Sequence, residues 1–457
     1  MNTIAAISTA TGTGGIGIIR MSGSKCFEIL EKIFVPVNKY DIKDVPGYTI
    51  RFGYIINKEK NEKIDEVLVS FFKNPKSYTK EDMCEINSHG GMVIERKILE
   101  LCIKNGADIA EPGEFTKRAF LNGRIDLTQA ESVIDIINSK TDNEAKASVN
   151  QLQGALSQKI VSIKKKILDI MADIEASIDY PEYDIEELGD NELIRRLKYI
   201  GDDLQELKNS FNTGKILREG IKTIIIGKPN AGKSSLLNAM LNEERAIVSD
   251  IPGTTRDTIE EFIMIQGIPL KLIDTAGIRN TNDKIEKIGV KKALKLAEDA
   301  DLIISIFDGS LELEKEDYEI LDLIKDKKAI ILNNKIDLQN SKINALNFKK
   351  YNKEVIDISV KEKIGLNRLY DEIVKMFCIK DITVNDGVII TNIRHKNQIE
   401  KAVKSLEDAI KSVNDNMPVD ISSVYIKQMI TELNIITGED VSEDIINEIF
   451  SKFCLGK

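Results

Sequence analysis

The chain has 457 residues, 42% apolar and 30% charged, so it can bury real cores and is neither disordered nor fibrous. Lys+Arg minus Asp+Glu is 64 − 74 = −10, which argues against gripping nucleic acid unaided, because phosphate contacts need clustered positive charge. Five widely spaced cysteines without a C-x-x-C pair point to a reduced, cytoplasmic protein, and two histidines (His89 and His395) leave little for a zinc site or a Ser-His-Asp triad.

At roughly 100–200 residues per domain, the length suggests about three domains. No apolar run approaches the ~20 residues that span a bilayer. The N-terminus, MNTIAAISTATGTGGIGIIR, lacks the basic start of a signal peptide. Residues 1–118 mix β-rich runs (TIAAIS, GIGIIRM, YTIRFGYII, EVLVSFF) with a helical stretch near 92–104, an α+β pattern. Gly12–Gly17 fits G-x-G-x-x-G, but IGIIRMSG after it reads as a strand. A dinucleotide site needs a helix there, so NAD or FAD is not expected.

Residues 119–215 are helical in pattern. Thr128 and Glu131 form a candidate capping box. Apolar positions from 149 to 178, three or four apart, predict one long helix stopped near Pro181, and Leu193 to Phe211 predict a second. Over 216–379, strand-like runs (KTIIIG, KLIDT, DLIISIFD, AIILNN, VIDIS) alternate with helices, which predicts a parallel sheet covered on both faces. Helix returns over 380–457. The economical reading is one helical domain made from both arms, with an α/β domain inserted between them. Two separate bundles, or an intermolecular coiled coil, remain alternatives.

Gly227-Lys228-Pro229-Asn230-Ala231-Gly232-Lys233-Ser234 matches G-x-x-x-x-G-K-[ST], follows a strand and opens the helical segment SSLLNAML. The loop's backbone N–H groups would cradle phosphates, Lys233 would reach them, and the Ser234 hydroxyl would ligate Mg²⁺. Asp274-Thr275-Ala276-Gly277 ends a strand, suited to hold Mg²⁺ through water and to sense the terminal phosphate. Asn334-Lys335-Ile336-Asp337 ends another. The Asp337 carboxylate can accept the ring N–H and exocyclic amine of guanine, which adenine does not offer. Ser359-Val360-Lys361 would close over the base. In this order, each at a strand end, the motifs indicate a Ras-like P-loop GTPase domain.

The loop Ser249-Asp250-Ile251-Pro252-Gly253-Thr254-Thr255-Arg256-Asp257 fits a switch, with Thr255 a second Mg²⁺ ligand and backbone carbonyls free to hold a monovalent ion beside Asn230. Ile278 stands where many GTPases have a water-orienting glutamine. Glu286 is the favoured substitute, against the alternative of a solvated acid at a helix start.

Gly227–Ser234, the Gly253–Asp257 switch and the terminus Phe453-Cys454-Leu455-Gly456-Lys457 resemble the MnmE/TrmE tRNA-modification GTPases. So do Gly17–Arg20, Tyr78–Asp82, His89–Gly91 and Pro112–Phe120, and the resemblance spans essentially the whole chain. It implies an N-terminal domain that binds tetrahydrofolate and dimerises, and a helical domain interrupted by the G domain. It implies GTP hydrolysis stimulated by potassium-dependent dimerisation of G domains, the ion held by Asn230, Ser249, Ile251 and Thr254, with Glu286 orienting water. GTP contacts are implied for 230–235 (Ser235 included), 249–255, 274–277, 334–337 and 359–361.

The resemblance also implies a role with the flavoprotein MnmG. Together they would add aminomethyl or carboxymethylaminomethyl groups to C5 of the wobble uridine of certain tRNAs. A folate, 5-formyltetrahydrofolate or methylenetetrahydrofolate, would supply the carbon. Folate contacts map by similarity to Arg20, Glu85, Arg124 and Lys457. Cys454 is either a reactive thiol near the folate or a small buried plug. The competing function is a GTP-switched ribosome-assembly or regulatory factor without one-carbon chemistry. Lys164-Lys165-Lys166 is a candidate RNA patch, though such runs usually form a solvated helix face.

Overall fold

A computed structural model describes residues 2–10, 12–38, 41–179, 189–243, 261–273, 297–338, 342–343, 345–377 and 388–457. The chain falls into two compact units, one of Met1–Asn138, Ser148–Leu204 and Gln398–Lys457, the other of Ser139–Ala147 and Gln205–Asn397.

The first unit opens with a seven-stranded sheet, ordered β3-β4-β5-β6-β2-β1-β7. Its strands are β1 (Ile4–Ile7), β2 (Ile16–Ser22), β3 (Phe34–Pro36), β4 (Thr49–Asn57), β5 (Glu62–Phe72), β6 (Met83–His89) and β7 (Asp108–Ile109). All neighbours are antiparallel except β1 and β7. Alternation sets the inner face: Val67, Val69 and Phe71 of β5 are buried while Leu68 between them is exposed. Helices α1 (Cys26–Ile33) and α2 (Met92–Lys104) share a core with that face through Leu30, Ile33, Ile98 and Cys102. The segment after Gly15 is strand β2, as its sequence suggests. The β6 segment, MCEINSH, carries only three apolar residues, so its central place in the sheet is not apparent from pattern alone.

Helix α3 spans Glu114–Leu121 and α4 spans Leu127–Asn138. Thr128 is not the cap of α4. Asp126 is: its carboxylate accepts the Gln129 N–H (2.9 Å) while the Gln129 side chain accepts the Asp126 N–H (3.0 Å), so the reciprocal box sits two residues earlier than expected. Thr128 lies inside the helix and bonds Asp126 through its hydroxyl.

The single long helix expected over 149–178 is two: α5 (Asp142–Leu152) and α6 (Ala155–Asp179). Gly154, at φ +89°, breaks it in the left-handed region where glycine is at ease. The apolar stripe runs through the break, so spacing alone hides it. Pro181 lies outside the described residues. Helix α7 runs over Asp190–Glu219, well past Phe211.

The second unit contains a six-stranded sheet, order β13-β12-β11-β8-β10-β9. The strands are β8 (Ile221–Ile226), β9 (Glu261–Ile265), β10 (Ile268–Leu272), β11 (Leu302–Asp308), β12 (Ala329–Asn334) and β13 (Glu354–Asp357). All pairs are parallel except the edge strand β9, antiparallel to β10. Helices α8 (Lys233–Glu243), α9 (Lys315–Leu323) and α10 (Leu366–Met376) follow β8, β11 and β13. Leu236 and Met240 of α8 and Leu369 and Ile373 of α10 pack on one face; Leu321 of α9 and Phe348 pack on the other. The near-continuous Ile/Leu strands are those of a sheet buried on both sides.

Helices α11 (Ile393–Asn414), α12 (Val419–Thr437) and α13 (Glu443–Ser451) complete the chain. Within the first unit, α12 packs along α6, bringing Met429, Leu433 and Ile436 into a buried layer with the Ile163–Ile174 stripe. Among the described residues no helix is long and apolar enough to cross a membrane.

Candidate functional site

In the second unit, strands β8, β11, β12 and β13 end on one edge of the sheet, where doubly wound proteins bind ligands. Gly227–Gly232 turns from β8 into α8. A Cβ on Gly227 would lie 2.4 Å from the Ile306 carbonyl oxygen, and one on Gly232 (φ +111°) 2.3 Å from the Asn334 amide nitrogen. Both positions therefore require glycine. Lys233 Nζ donates to the carbonyls of Gly227 (2.7 Å) and Lys228 (2.8 Å), which holds the ammonium inside the loop it closes. Ala231 is buried; Ser234 and Ser235 lie in the first turn of α8, where the helix dipole favours an anion. Asn230 is exposed and left-handed at φ 62°.

Asn334 fastens three loops. Its buried side chain donates to the Ala231 carbonyl (2.8 Å) and accepts the Val360 N–H (3.2 Å). Lys335 pairs with Asp308 at the end of β11 (2.5 Å). Burial works to raise the Asp308 pKa, but hydrogen bonds from Lys335 and Ser310 hold it below the usual range. Ile336 donates its N–H to the Ile358 carbonyl (3.3 Å).

Asp337 accepts the Ser359 hydroxyl (2.6 Å), and that bond is the main cause of a lowered carboxyl pKa. The acid is thus ionised and aimed, ready to accept two N–H groups from one planar base. Lys361 is exposed beside it. Asp308 and the orienting role of Ser359 are additions to the sequence reading; an acid closing the run DLIISIFD was the available signal. Ser249, Asp250, Ile251, Pro252, Gly253, Thr254, Thr255, Asp274, Thr275, Ala276, Gly277 and Glu286 lie outside the described residues.

The first unit brings Arg20, Glu85, Arg124 and the chain terminus into one neighbourhood. Arg20 and Glu85 face each other across the β2–β6 register and form an ion pair (2.8 Å). Arg20 also donates to the Gly456 carbonyl (3.1 Å), and the Ser8 hydroxyl donates to the same oxygen (3.0 Å). The Phe115 N–H, in the first turn of α3, donates to a carbonyl oxygen of Lys457 (3.2 Å). Tyr78 lies under both cations: Arg20 stands 5.5 Å from its ring centre and Arg124 4.4 Å. Cys454 is exposed, which excludes the buried-plug reading.

Other residues of the matching motifs build this corner. Arg118 is buried, and its guanidinium donates to Glu114 (2.8 Å), Glu81 (3.1 Å) and the Asn2 carbonyl (2.8 Å). A buried cation so satisfied is a structural tie between β1, α3 and the 79–82 loop. The lysine run is mostly spoken for: Lys164 pairs with Glu439 and Lys166 with Asp203.

The chain matches the family descriptions "GTP-binding protein TrmE N-terminus" over residues 3–124 and "MnmE helical domain" over residues 127–454. It is 52% identical to a tRNA modification GTPase MnmE of Acetivibrio thermocellus, over 100% of this chain and 99% of that one. Proteins of the same name from Thermoanaerobacter pseudethanolicus (50% identical) and Alkaliphilus oremlandii (47%) match over the same shares of each chain. With two family descriptions matched over most of its length and relatives alike from end to end, the chain belongs to the MnmE family of tRNA modification GTPases.

Proposed function

We propose that this chain hydrolyses GTP within a complex that adds aminomethyl or carboxymethylaminomethyl groups to C5 of wobble uridine in tRNA, working with the flavoprotein MnmG and a tetrahydrofolate one-carbon donor. The proposal includes a cytoplasmic location and a homodimer with three parts: 1–118, a helical part of 119–215 and 380–457, and an inserted G domain of 216–379. The observation that carries the one-carbon reading is the return of the terminus onto the N-terminal sheet, where Gly456 meets Arg20 and Ser8.

The donor set suits a folate. Glu85 offers an acceptor for the amidine-like edge of a pterin, Tyr78 an aromatic face, and Arg20, Arg124 and Lys457 charges for a glutamate tail. A bound folate would supply the one-carbon unit. These residues would fix its ring and tail beside the exposed Cys454 thiol.

In the G domain, Lys233 and the start of α8 would receive the phosphates, with Ser234 and Thr255 holding Mg²⁺. Asp337, oriented by Ser359, would read the guanine edge, and Val360 and Lys361 would border it. Asn230, Ser249, Ile251 and Thr254 would hold K⁺, and Glu286 would orient water. GTP turnover is expected to be faster in KCl than in NaCl at equal ionic strength; equal rates would remove the cation site from the proposal.

A further inference from the structure

Lys228, the second residue of the phosphate loop, points away from the loop's interior. Its ammonium lies 2.8 Å from the Glu314 carboxylate and 2.7 Å from that of Asp317, and its side chain is only 15% exposed. Both acids belong to the start of α9: Glu314 is its N-cap, and the Asp317 carboxylate accepts the Glu314 N–H (2.8 Å). Asp317 is 5% exposed at its side chain, so its charge is poorly screened by water. Burial alone would pull the Lys228 ammonium down; Asp317 and Glu314 more than reverse that.

The same residue's carbonyl accepts Lys233 Nζ (2.8 Å) and the Ala231 N–H (3.3 Å). One residue therefore joins the acidic cap of α9 to the turn that holds the phosphate-binding lysine. Neither the acids nor the Lys228 ammonium belongs to the set expected to touch nucleotide. Two carboxylates this close to a loop that receives a polyphosphate would oppose binding unless neutralised.

We infer that Lys228 is a positioning residue for nucleotide binding, neutralising the Glu314–Asp317 pair at the start of α9 so that the phosphate loop keeps its anion-accepting potential. This rests on the GTP-site reading, and the test separates the two. Full-length protein is titrated with fluorescent methylanthraniloyl-GDP, and release rates are measured on displacement. Lys228→Met should weaken affinity roughly tenfold, within the usual range for coupled sites, chiefly through faster release. Lys228→Arg should bind as the parent does.

The deciding variant is Lys228→Met combined with Glu314→Gln and Asp317→Asn, which removes the opposing charges and should recover most of the affinity. Raising the salt concentration should also shrink the Lys228→Met loss if opposing charge causes it, whereas a loss of loop structure would persist. Parent-like binding by Lys228→Met, or a triple variant as weak as the single one, overturns the inference. Failure of the parent chain to bind the probe would instead overturn the GTP site itself.

Discussion

At the residue scale, the candidate nucleotide site depends on side chains that position other side chains. Ser359 donates to Asp337, which aims the carboxylate and lowers its pKa. Asp337 has a lowered pKa, so its carboxylate, the form proposed to read the base, persists above the lowered value and is lost only as pH falls through it. Replacing Ser359 by Ala lets the pKa rise toward the ordinary carboxylate value. The acid limb of guanine-nucleotide binding should then move to higher pH, with little change at neutral pH. Affinity followed from neutral pH to below the ordinary carboxylate range checks this, and superimposable profiles would remove Ser359 from that role. Asp337 was legible in the sequence because N-K-x-D at a strand end has a chemical reason. Asp308 and Ser359 act through geometry, and no spacing rule links positions 308 and 335, or 337 and 359, before the strands are aligned.

At the element scale, the terminal segment after α13 behaves as a strap. Gly456 sits at φ +85°, and a Cβ there would lie 2.4 Å from the Ile7 carbonyl oxygen. Upstream, the N–H of Gly113 donates to the Cys454 carbonyl (3.3 Å), and Phe450 and Phe453 are buried with Leu127 and Ala119. Gly456→Ala meets backbone rather than a movable side chain, and the left-handed conformation adds about 1 kcal/mol of strain. The strap is expected to detach locally while the folded core remains. Limited proteolysis should clip the terminus sooner, and the proposed folate binding should weaken with little change in far-UV circular dichroism. An unaltered terminus and unaltered binding would show that the tail tolerates the methyl group.

The same scale shows where pattern reading works. The α/β alternation, α2 and the helical arms follow from apolar periodicity. The break at Gly154 does not, because the stripe keeps its three-or-four spacing through it, and β6 does not, because only three of its seven residues are apolar. The cap of α4 is displaced for a similar reason: Asp126 and Gln129 compete with Thr128 and Glu131 for the same box, and the backbone decides between them.

At the scale of the whole molecule, the chain carries two candidate sites on two sheets. One sheet, parallel but for its edge, gathers loops for a nucleotide at one end. The other, almost wholly antiparallel, is completed by residues from the far end of the sequence, Gly456 against Ser8 and Arg20. Such sequence separation makes this second site unreadable from local spacing; a whole-chain resemblance, not periodicity, points to it. With a net charge of −10, the proposed complex needs its partner to supply much of the positive surface for RNA.

The central claim is that nucleotide binding by this chain drives modification of wobble uridine. The most direct measurement is mass spectrometry of tRNA nucleosides from cells lacking the gene, complemented with the wild-type chain or with Lys233→Ala. Loss of the C5-aminomethyl class of uridines, restored by the wild type and not by Lys233→Ala, is the expected result. Unchanged nucleosides in the deletion, or full restoration by Lys233→Ala, would contradict the account and favour a GTP-switched assembly factor.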